Sequence, residues 1–358
     1  MAHIRVVRIE EELGNYARLV NEVLEEFFPR SPDEGYYRRV AGLSYGEVDV
    51  YSLNEVVAKP AWDLLDRGGK RWRPALGLIV YEALGGRADE VVKLLVIPEL
   101  IHNGTLIVDD VEDASDVRRG KPCIHKIYGE DVAINVGNTL YYLPVAAVLS
   151  RVNLPAEFQR ALLKLYVEEM LKLSLGQALD IAWHRGLSSE VSEAQYMLMC
   201  DLKTGSLARM AVRIACLAAG VGGPLEEKLS RFASSIAVAF QIQDDLLNLI
   251  GDEALYGKEI GGDLKEGKRT LIVIHALRTL PREKSDRIRS VLGVKSADRK
   301  MIFEAIELIK ESGAVEYSKS VARRLVEDAW SAVEAELSPS RAKELLRQLA
   351  EYLIVRSR

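Results

Sequence analysis

Residues 100–122 read LIHNGTLIVDDVEDASDVRRGKP, and the interpretation of the whole chain starts from them. Apolar residues continue up to the first aspartate, so we expect a buried helix to emerge at an acidic cluster. This cluster has five acids within eight positions, namely Asp109, Asp110, Glu112, Asp113 and Asp116. On a helix Asp109 and Asp113 lie one turn apart, with Cβ atoms about 6 Å from each other. Two carboxylates held this close repel each other unless a cation lies between them.

The types of residue in this cluster indicate which cation it would bind. Carboxylate oxygens are hard ligands, and without His or Cys among them they suit Mg²⁺ rather than zinc. Arg118, Arg119 and Lys121 follow the acids directly and supply local positive charge. For this segment alone, an acidic helix end exposed to solvent explains the pattern equally well. A second cluster further along the chain favours the metal site.

The second acidic cluster lies in residues 240–270, FQIQDDLLNLIGDEALYGKEIGGDLKEGKRT. Asp244 and Asp245 again emerge from an apolar helix, with Gln241 one turn before Asp245 and Asn248 one turn after Asp244. A glycine-containing stretch follows and could close over a phosphate-bearing ligand. Its cations are Lys258, Lys265, Lys268 and Arg269.

Other segments add cations near predicted helices. In GGKRWRP, residues 68–74, two glycines allow the backbone to approach a ligand, beside Lys70, Arg71 and Arg73. His102 precedes Asp109 by two helical turns and lies on roughly the same face. Lys203 interrupts an apolar helix within KTG, and a buried lysine needs an anionic partner. Gln177 and Asp180 are polar positions in another helix that otherwise looks buried.

The chain is predicted to be all-α. From Lys70 onward apolar residues recur at helical spacing, and no run alternates with period two. We expect a single domain over 1–358, with N-terminal helices and a loop (1–66), a catalytic core (67–280) and amphipathic scaffold helices (281–358). Its 358 residues, 48% of them apolar, are enough for a large core.

Composition also limits function and location. The net charge of −5 argues against a nucleic-acid binder that works through a general basic surface. The charged first residues do not resemble a signal peptide, and no run of 18 apolar residues exists, so no transmembrane segment is predicted. Three separated cysteines, Cys123, Cys200 and Cys216, indicate a reducing cytoplasm rather than a disulfide framework.

Taken together, these motifs resemble those of the trans-type polyprenyl diphosphate synthases, which include the geranylgeranyl diphosphate synthases. The resemblance rests on GGKxxRP, DDxxD followed by RRGKP, KTG, and QxxDD followed by GKxxGxDLxEGK, and it extends to LSPSR near the C-terminus. It implies an isoprenoid synthase helical bundle around a central cavity, with both acid clusters at the cavity mouth. It also implies a Mg²⁺-dependent prenyltransferase that extends an allylic diphosphate by one isopentenyl diphosphate, and a homodimer.

The resemblance further implies roles for individual residues. Asp109 and Asp113 correspond to the ligands of two Mg²⁺ ions and Asp244 to the main ligand of a third, with Asp110, Asp245 and Asn248 nearby and acting through water. The residues that correspond to the allylic diphosphate site are Arg118, Lys203 and Lys258, and Lys268 is a further candidate for binding phosphate. Those for isopentenyl diphosphate are Lys70, Arg73, His102 and Arg119. The oxygens of Thr204 and Gln241 correspond to those that face the developing allylic cation.

Two positions in this sequence differ from the residues that most relatives carry there. Asn248 stands where most relatives carry Asp, although Asn also occurs there in some geranylgeranyl synthases, and Val108 stands where many relatives place His.

Gly104 and Thr105, five and four residues before Asp109, are small where farnesyl-producing relatives carry a bulky aromatic. We therefore expect a cavity deeper than fifteen carbons, closed by Tyr141 or Tyr142, and a twenty-carbon product.

Alternatives remain open at this stage. A product of twenty-five carbons or more is the closest one. A catalytically silent partner subunit would usually lack one acid cluster, and a class I terpene cyclase would not need a second diphosphate clamp. A helical scaffold without a ligand would not need cations opposite two acid pairs.

Overall fold

The computed structural model describes residues 2–188, 190–251, 260–294 and 296–355, with side chains from residue 9 onward. The described chain is helical apart from one short hairpin, which confirms the all-α prediction. In chain order the helices are α1 (Ala2–Phe27), α2 (Glu34–Ala41), α3 (Val50–Leu53), α4 (Lys59–Asp66), α5 (Trp72–Ala83), α6 (Ala88–Glu112), α7 (Ile124–Tyr128), α8 (Glu130–Arg151), α9 (Ala156–His184), α10 (Glu193–Cys200), α11 (Ser206–Ala218), α12 (Pro224–Ile250), α13 (Gly262–Glu266), α14 (Leu271–Thr279), α15 (Arg282–Arg289), α16 (Arg299–Glu311), α17 (Ala314–Val333) and α18 (Arg341–Val355).

Short irregular elements connect some of these helices. Two π-helical turns, Asn54–Ala58 and Asp201–Gly205, join α3 to α4 and α10 to α11, and a 3₁₀ turn follows α17 at Glu334–Glu336. The hairpin pairs β1 (Val117–Arg118) with β2 (Lys121–Pro122) in antiparallel register.

Contacts divide the chain into two compact units. The first contains Met1–Tyr166, Met210–Gly222 and Ser338–Leu346, and the second contains Val167–Arg209, Gly223–Leu337 and Arg347–Arg358. The predicted single domain and its central cavity stay predictions.

In the first unit, α6 packs along α8 and also contacts α5 and α1. Glycines set the α6–α8 contact, because a Cβ on Gly104 would lie 2.8 Å from the carbonyl oxygen of Gly137. A Cβ on Gly137 would lie 2.4 Å from Cγ2 of Val108. Such distances leave no room for a side chain, so the two helix backbones touch directly.

Both α6 and α8 are long and apolar enough to cross a membrane by length and composition. The most apolar part of α6 is 72% buried inside the protein and that of α8 is 50% buried. Their close mutual packing is typical of core helices in a globular protein. The absence of a transmembrane segment stays a prediction.

In the second unit, α12 packs mainly against α17, and Phe232 meets the ring of Trp330 edge-on at 6.1 Å. The π-helical turn Asp201–Gly205 packs on α12. It also lies against α9, since a Cβ on Gly176 would be 2.4 Å from the backbone nitrogen of Lys203. The turn therefore lies between α9 and α12 and contacts both helices.

Candidate functional site

The first acid motif lies at the C-terminal end of α6. Asp109 is in the last turn, and Asp113 caps the helix with its backbone N–H on the carbonyl of Asp109 at 2.9 Å. A helix C-terminus carries negative partial charge, so carboxylates are electrostatically unfavourable there. Both side chains are partly exposed. The position of these acids thus favours binding of a cation.

Asp110 has a different environment from its neighbours. It is buried, and its Oδ1 accepts hydrogen bonds from Nε of Arg118 at 2.9 Å and from Nη2 at 2.5 Å. Nη2 also lies 3.9 Å from Oδ2 of Asp109. Burial alone would lower the pKa of Arg118, but the bonds and the charge of Asp110 raise it above the usual value. Asp110 therefore holds Arg118 beside the acid motif.

The hairpin presents the next arginine. Arg119 and Gly120 form its two-residue turn with φ of 52° and 74°, as a type I′ turn requires. Among the described residues, the non-glycine residues with positive φ are Arg71, Ala114 and Arg119. Ala114 directly follows the first acid motif, and Arg71 and Arg119 are cations near that motif. Backbone strain of this kind is frequent at functional sites.

The segment GGKRWRP packs against these arginines. A Cβ on Gly69 would lie 3.1 Å from Nη2 of Arg119 and 3.4 Å from Nη1 of Arg71, so Gly69 is in close contact with both guanidinium groups. Gly69 itself has φ of 140°. We use "basic cluster" for the basic side chains that this loop, α6 and the hairpin bring into one electrostatic environment: Arg71, Arg73, His102, Arg118 and Arg119.

The charges within the basic cluster are only partly balanced. Arg71 pairs with Glu99 at 2.7 Å, and both side chains are 3% exposed. In the described part of the chain Arg119 bonds to neutral acceptors alone, the carbonyl of Leu64 at 3.2 Å and Oδ1 of Asn103 at 3.3 Å. Burial and the charges of Arg71 and its neighbours lower the pKa of Arg119 to about 10.

His102 is affected in the same way. Burial and then the charges of Arg73 and Arg119 lower its pKa well below the usual value. Arg119 stays charged at neutral pH, and in both groups desolvation and then the neighbouring positive charges disfavour the charged form. Bound phosphate groups would remove this electrostatic cost, so the basic cluster has the properties of an anion site.

The second acid motif lies in the last two turns of α12, again at a helix C-terminus. Asp244 is partly exposed, whereas Asp245 is buried. Asp245 accepts hydrogen bonds from the hydroxyl of Tyr196 at 2.7 Å and from Nε2 of Gln241 at 2.9 Å. Burial and the charge of Asp263 raise the pKa of Asp245 to about 8, although both hydrogen bonds oppose this shift.

Asn248 is also buried, and its contacts explain why an amide is tolerated there. Its Oδ1 accepts the backbone N–H of Asp263 at 3.1 Å, and its carbonyl accepts that of Gly261 at 2.8 Å. Asn248 thus fixes the start of α13. This brings Asp263 close enough to affect Asp245 electrostatically.

The π-helical turn carries two predicted catalytic residues. Nζ of Lys203 lies 2.6 Å from Oδ2 of Asp180, which supplies the anionic partner expected from the sequence. Oγ1 of Thr204 donates to Oε1 of Gln241 at 3.0 Å. Turns of this type occur frequently at functional sites.

The cationic loop after α12 is described only in part. Lys258 lies outside the described residues. Lys268 is paired with Glu266 at 2.6 Å and lies 3.8 Å from Asp263. The pKa of His184 is lowered by burial, with Lys268 and Lys203 adding to the effect. Lys268 and Lys203 therefore share one positive environment in the second unit.

The residues predicted to set product length lie along the α6–α8 contact. Gly104 is buried there, and a Cβ on it would be 3.3 Å from Cδ1 of Tyr141. Thr105 is partly exposed and donates to the carbonyl of His102 at 2.8 Å. Burial and the charges of Glu112 and Asp109 raise the pKa of Tyr141, which puts its hydroxyl near the acid motif. Tyr142 is 68% exposed.

Four residues with clear contacts in these sites were missed from the sequence. A signal existed for Glu99, an isolated acid in an apolar helix three residues before His102, and for Asp263 within GGDLKEGK. Tyr196 gave none, because its partner Asp245 lies far away in the chain. Asn103 gave none for its contact with Arg119, which lies on another element, although it also bonds to Glu99 one turn before it.

The acid motifs fit Mg²⁺ as far as their donor chemistry goes. Among the described residues no group of three His, Cys, Asp or Glu side chains could hold a metal by itself. Mg²⁺ commonly binds through one or two carboxylates, with phosphate oxygens of the substrate and water completing the octahedron. Asp109 with Asp113, and Asp244 in the other unit, provide this kind of partial site.

Comparison with known proteins gives a consistent result. The family profile described as polyprenyl synthetase matches residues 54–309. A short chain isoprenyl diphosphate synthase from Methanothermobacter thermautotrophicus is 36% identical over 303 residues, 84% of this chain and 91% of that protein. A geranylfarnesyl diphosphate synthase from Aeropyrum pernix is 35% identical over 303 residues, 82% and 92% of the two chains. The crystal structure of a geranylgeranyl pyrophosphate synthetase from Pyrococcus horikoshii has a TM-score of 0.81 and 30% identity, with 99% of both chains covered.

Proposed function

The chain belongs to the polyprenyl synthetase family, and on this premise we propose that it is a prenyltransferase that condenses isopentenyl diphosphate with an allylic diphosphate. The observation that carries the proposal is the positive charge of Arg119, which hydrogen-bonds to neutral acceptors, beside His102, whose pKa is lowered by burial and by the neighbouring arginines. Both residues are close in the chain to carboxylates at a helix end. A diphosphate beside a divalent metal matches both features. The same pairing of acids with cations recurs in the second unit.

The reaction needs no side-chain nucleophile. The allylic C–O bond breaks, the isopentenyl double bond attacks the allylic carbon to form a C–C bond, and a proton leaves to the released diphosphate. Mg²⁺, held by Asp109, Asp113 and Asp244, would neutralise the leaving group when bound. Arg118, Lys203, Lys258 and Lys268 would hold the allylic diphosphate by charge-assisted hydrogen bonds.

The remaining residues would bind the second substrate and face the reacting carbons. Lys70, Arg73, His102 and Arg119 would bind isopentenyl diphosphate. The oxygens of Thr204 and Gln241 would face the positive charge that develops on the allylic group. Asp110 and Asp245 would act indirectly, through Arg118 and Gln241, and Asn248 through the start of α13.

For the product we propose geranylgeranyl diphosphate, with a product of twenty-five carbons or more as the alternative. The relatives support both lengths, because the Pyrococcus horikoshii protein is named for twenty carbons and the Aeropyrum pernix protein for twenty-five. The small, partly exposed Thr105 argues against a fifteen-carbon limit, whereas Gly104 is small because it packs directly against α8. Of the two tyrosines considered as the end of the cavity, the less exposed Tyr141 beside Gly104 is the better candidate.

The test is mass spectrometry of the products formed with Mg²⁺, isopentenyl diphosphate and, in turn, dimethylallyl, geranyl and farnesyl diphosphates. A twenty-carbon product supports the full proposal. Products longer than twenty carbons would support the proposed reaction but contradict the proposed product length. If the chain expressed alone gives no turnover, the silent-subunit alternative is favoured instead. Tyr141→Ala should lengthen the product, whereas Tyr142→Ala, on an exposed side chain, should not.

We further propose a cytoplasmic homodimer. On α9 the apolar side chains of Leu163, Val167, Leu171 and Leu175 recur every four residues and are 39%, 59%, 59% and 52% exposed. A continuous apolar stripe of this kind is typical of a protein interface. Cys123, Cys200 and Cys216 are buried and form no disulfide, which agrees with a reducing compartment.

A further inference from the structure

A chain of hydrogen bonds runs through the second unit and ends at Thr204. It starts at Tyr196 on α10, a fully buried side chain whose hydroxyl donates to Oδ2 of Asp245 at 2.7 Å. Oδ1 of Asp245 accepts from Nε2 of Gln241 at 2.9 Å, and Oε1 of Gln241 accepts from Oγ1 of Thr204 at 3.0 Å. The chain joins α10, α12 and the π-helical turn.

The direction of each bond in this chain follows from the chemistry of the groups. With Asp245 ionised, both its carboxylate oxygens accept, so the amide of Gln241 turns its NH₂ towards Asp245 and its carbonyl towards Thr204. The carbonyl then takes the hydroxyl proton of Thr204. The hydroxyl proton of Thr204 is therefore used in the bond to Gln241. The lone pairs on the Thr204 oxygen remain available to other groups.

This orientation matters for the proposed reaction. A positive charge on the substrate is stabilised by an oxygen lone pair and destabilised by a hydroxyl proton that points towards it. Without a donor on Oδ2, the carboxylate of Asp245 is no longer held in one orientation, so its bond to Nε2 of Gln241 and the position of the amide are less well fixed. The hydroxyl proton of Thr204 is then less firmly held by Oε1 of Gln241 and can point outward.

We propose that Tyr196 is a positioning residue for the condensation: through Asp245 and Gln241, it turns the lone pairs of Thr204 towards the developing positive charge. The inference rests on the proposed prenyltransferase function. It assigns Tyr196 no contact with substrate, so its effect should be on turnover and not on substrate binding.

The first experiment compares Tyr196→Phe with Tyr36→Phe. Tyr36 is a matched control, because it is also buried and its hydroxyl donates at 2.8 Å to a backbone carbonyl, that of Phe27, outside the proposed site. We expect Tyr196→Phe to lower kcat about tenfold, the effect of one charge-assisted hydrogen bond, with KM for both diphosphates within about twofold of wild type. Tyr36→Phe should leave kcat within about twofold.

The second experiment is a double-mutant cycle with Thr204→Val. If Tyr196 acts through Thr204, Tyr196→Phe should lower kcat in the Thr204 background and change it by less than about twofold when Thr204→Val is already present. If Tyr196→Phe does not fold, Gln241→Leu breaks the same chain and should show the same loss of additivity.

Three results would overturn the inference: an unchanged kcat for Tyr196→Phe, equal losses in both backgrounds, or an equal loss for Tyr36→Phe. All are measured relative to an active wild type. An inactive wild type would instead reject the proposed function, so the two failures are distinguishable.

Discussion

Arg71 is buried and Arg119 is half-buried, and the charges of these two guanidinium groups of the basic cluster are balanced differently. Arg71 has Glu99 as a carboxylate partner, whereas Arg119 has neutral acceptors and arginine neighbours. Truncating one member of a buried ion pair leaves the other charge unpaired, which costs about 3–5 kcal/mol. Removing a charge that is repelled by its neighbours lacks this cost.

We therefore expect opposite outcomes for Arg119→Met and Arg71→Met, two variants with the same change in side chain. Arg119→Met should change the free energy of unfolding by less than about 1 kcal/mol but raise KM for isopentenyl diphosphate at least about tenfold. Arg71→Met should lower the free energy of unfolding by about 3 kcal/mol or more. Denaturant unfolding and steady-state kinetics measure both. An unchanged KM for Arg119→Met would contradict the assignment of the anion site.

His102 gives a pH-dependent prediction at the same scale. Its pKa is lowered in the folded protein, so between that pKa and the ordinary value of about 6.5 the unfolded chain binds a proton that the folded one does not. This contribution makes the folded state less stable as pH falls below about 6.5. A bound anion should raise the pKa again by offsetting the neighbouring arginine charges.

Solution NMR can follow the imidazole of His102, with His102→Gln to assign its resonance. We expect a neutral ring at pH 6 in the free protein and an upward shift of the pKa when pyrophosphate is added. Titration of the free protein near the ordinary value of about 6.5 would show that the positive potential is absent.

At the scale of elements, the position of the π-helical turn depends on Gly176 in α9. A Cβ there would lie 2.4 Å from the backbone nitrogen of Lys203, so Gly176→Ala must displace the turn that carries Lys203 and Thr204. We expect a loss of about 1–3 kcal/mol in stability together with a lower kcat.

Gly14→Ala is the control, because Gly14 lies in α1 with no atom within 4 Å of an added Cβ. It should stabilise the protein by up to about 1 kcal/mol, since alanine favours helix. A wild-type kcat in Gly176→Ala would show that the turn tolerates displacement.

For the whole molecule, the exposed stripe on α9 predicts self-association. Leu171→Glu places a charge in the middle of the stripe, so we expect the homodimer to dissociate, as measured by light scattering after gel filtration. Leu187→Glu is the control, because Leu187 is even more exposed, at 79%, but lies outside α9. Equal masses for wild type and Leu171→Glu would mean that this stripe is not the interface.

Much of the molecule follows from local sequence. Helical periodicity alone predicted an all-α chain, since a buried helix face needs apolar residues every three or four positions. Asp109 and Asp113 are neighbours on any helix, and their place at its end is visible in the change from apolar to acidic residues. The cations of GGKRWRP and RRGKP were found for the same reason, because glycine and basic residues are adjacent in the chain.

Tertiary structure alone decided which of these charges is paired. Nothing in DDVED distinguishes Asp110 from Asp109, yet packing buries Asp110 against Arg118 and leaves Asp109 partly exposed. Likewise, Asn248 meets Asp263 and Tyr196 meets Asp245 because of how helices pack, across 15 and 49 residues of sequence. Hydrogen-bond partners and desolvation depend on the distances between elements, and local residue spacing carries no information about those distances. The sequence thus determined the fold class and the chemical types at the site, and tertiary packing determined which groups face a ligand and which hold them in place.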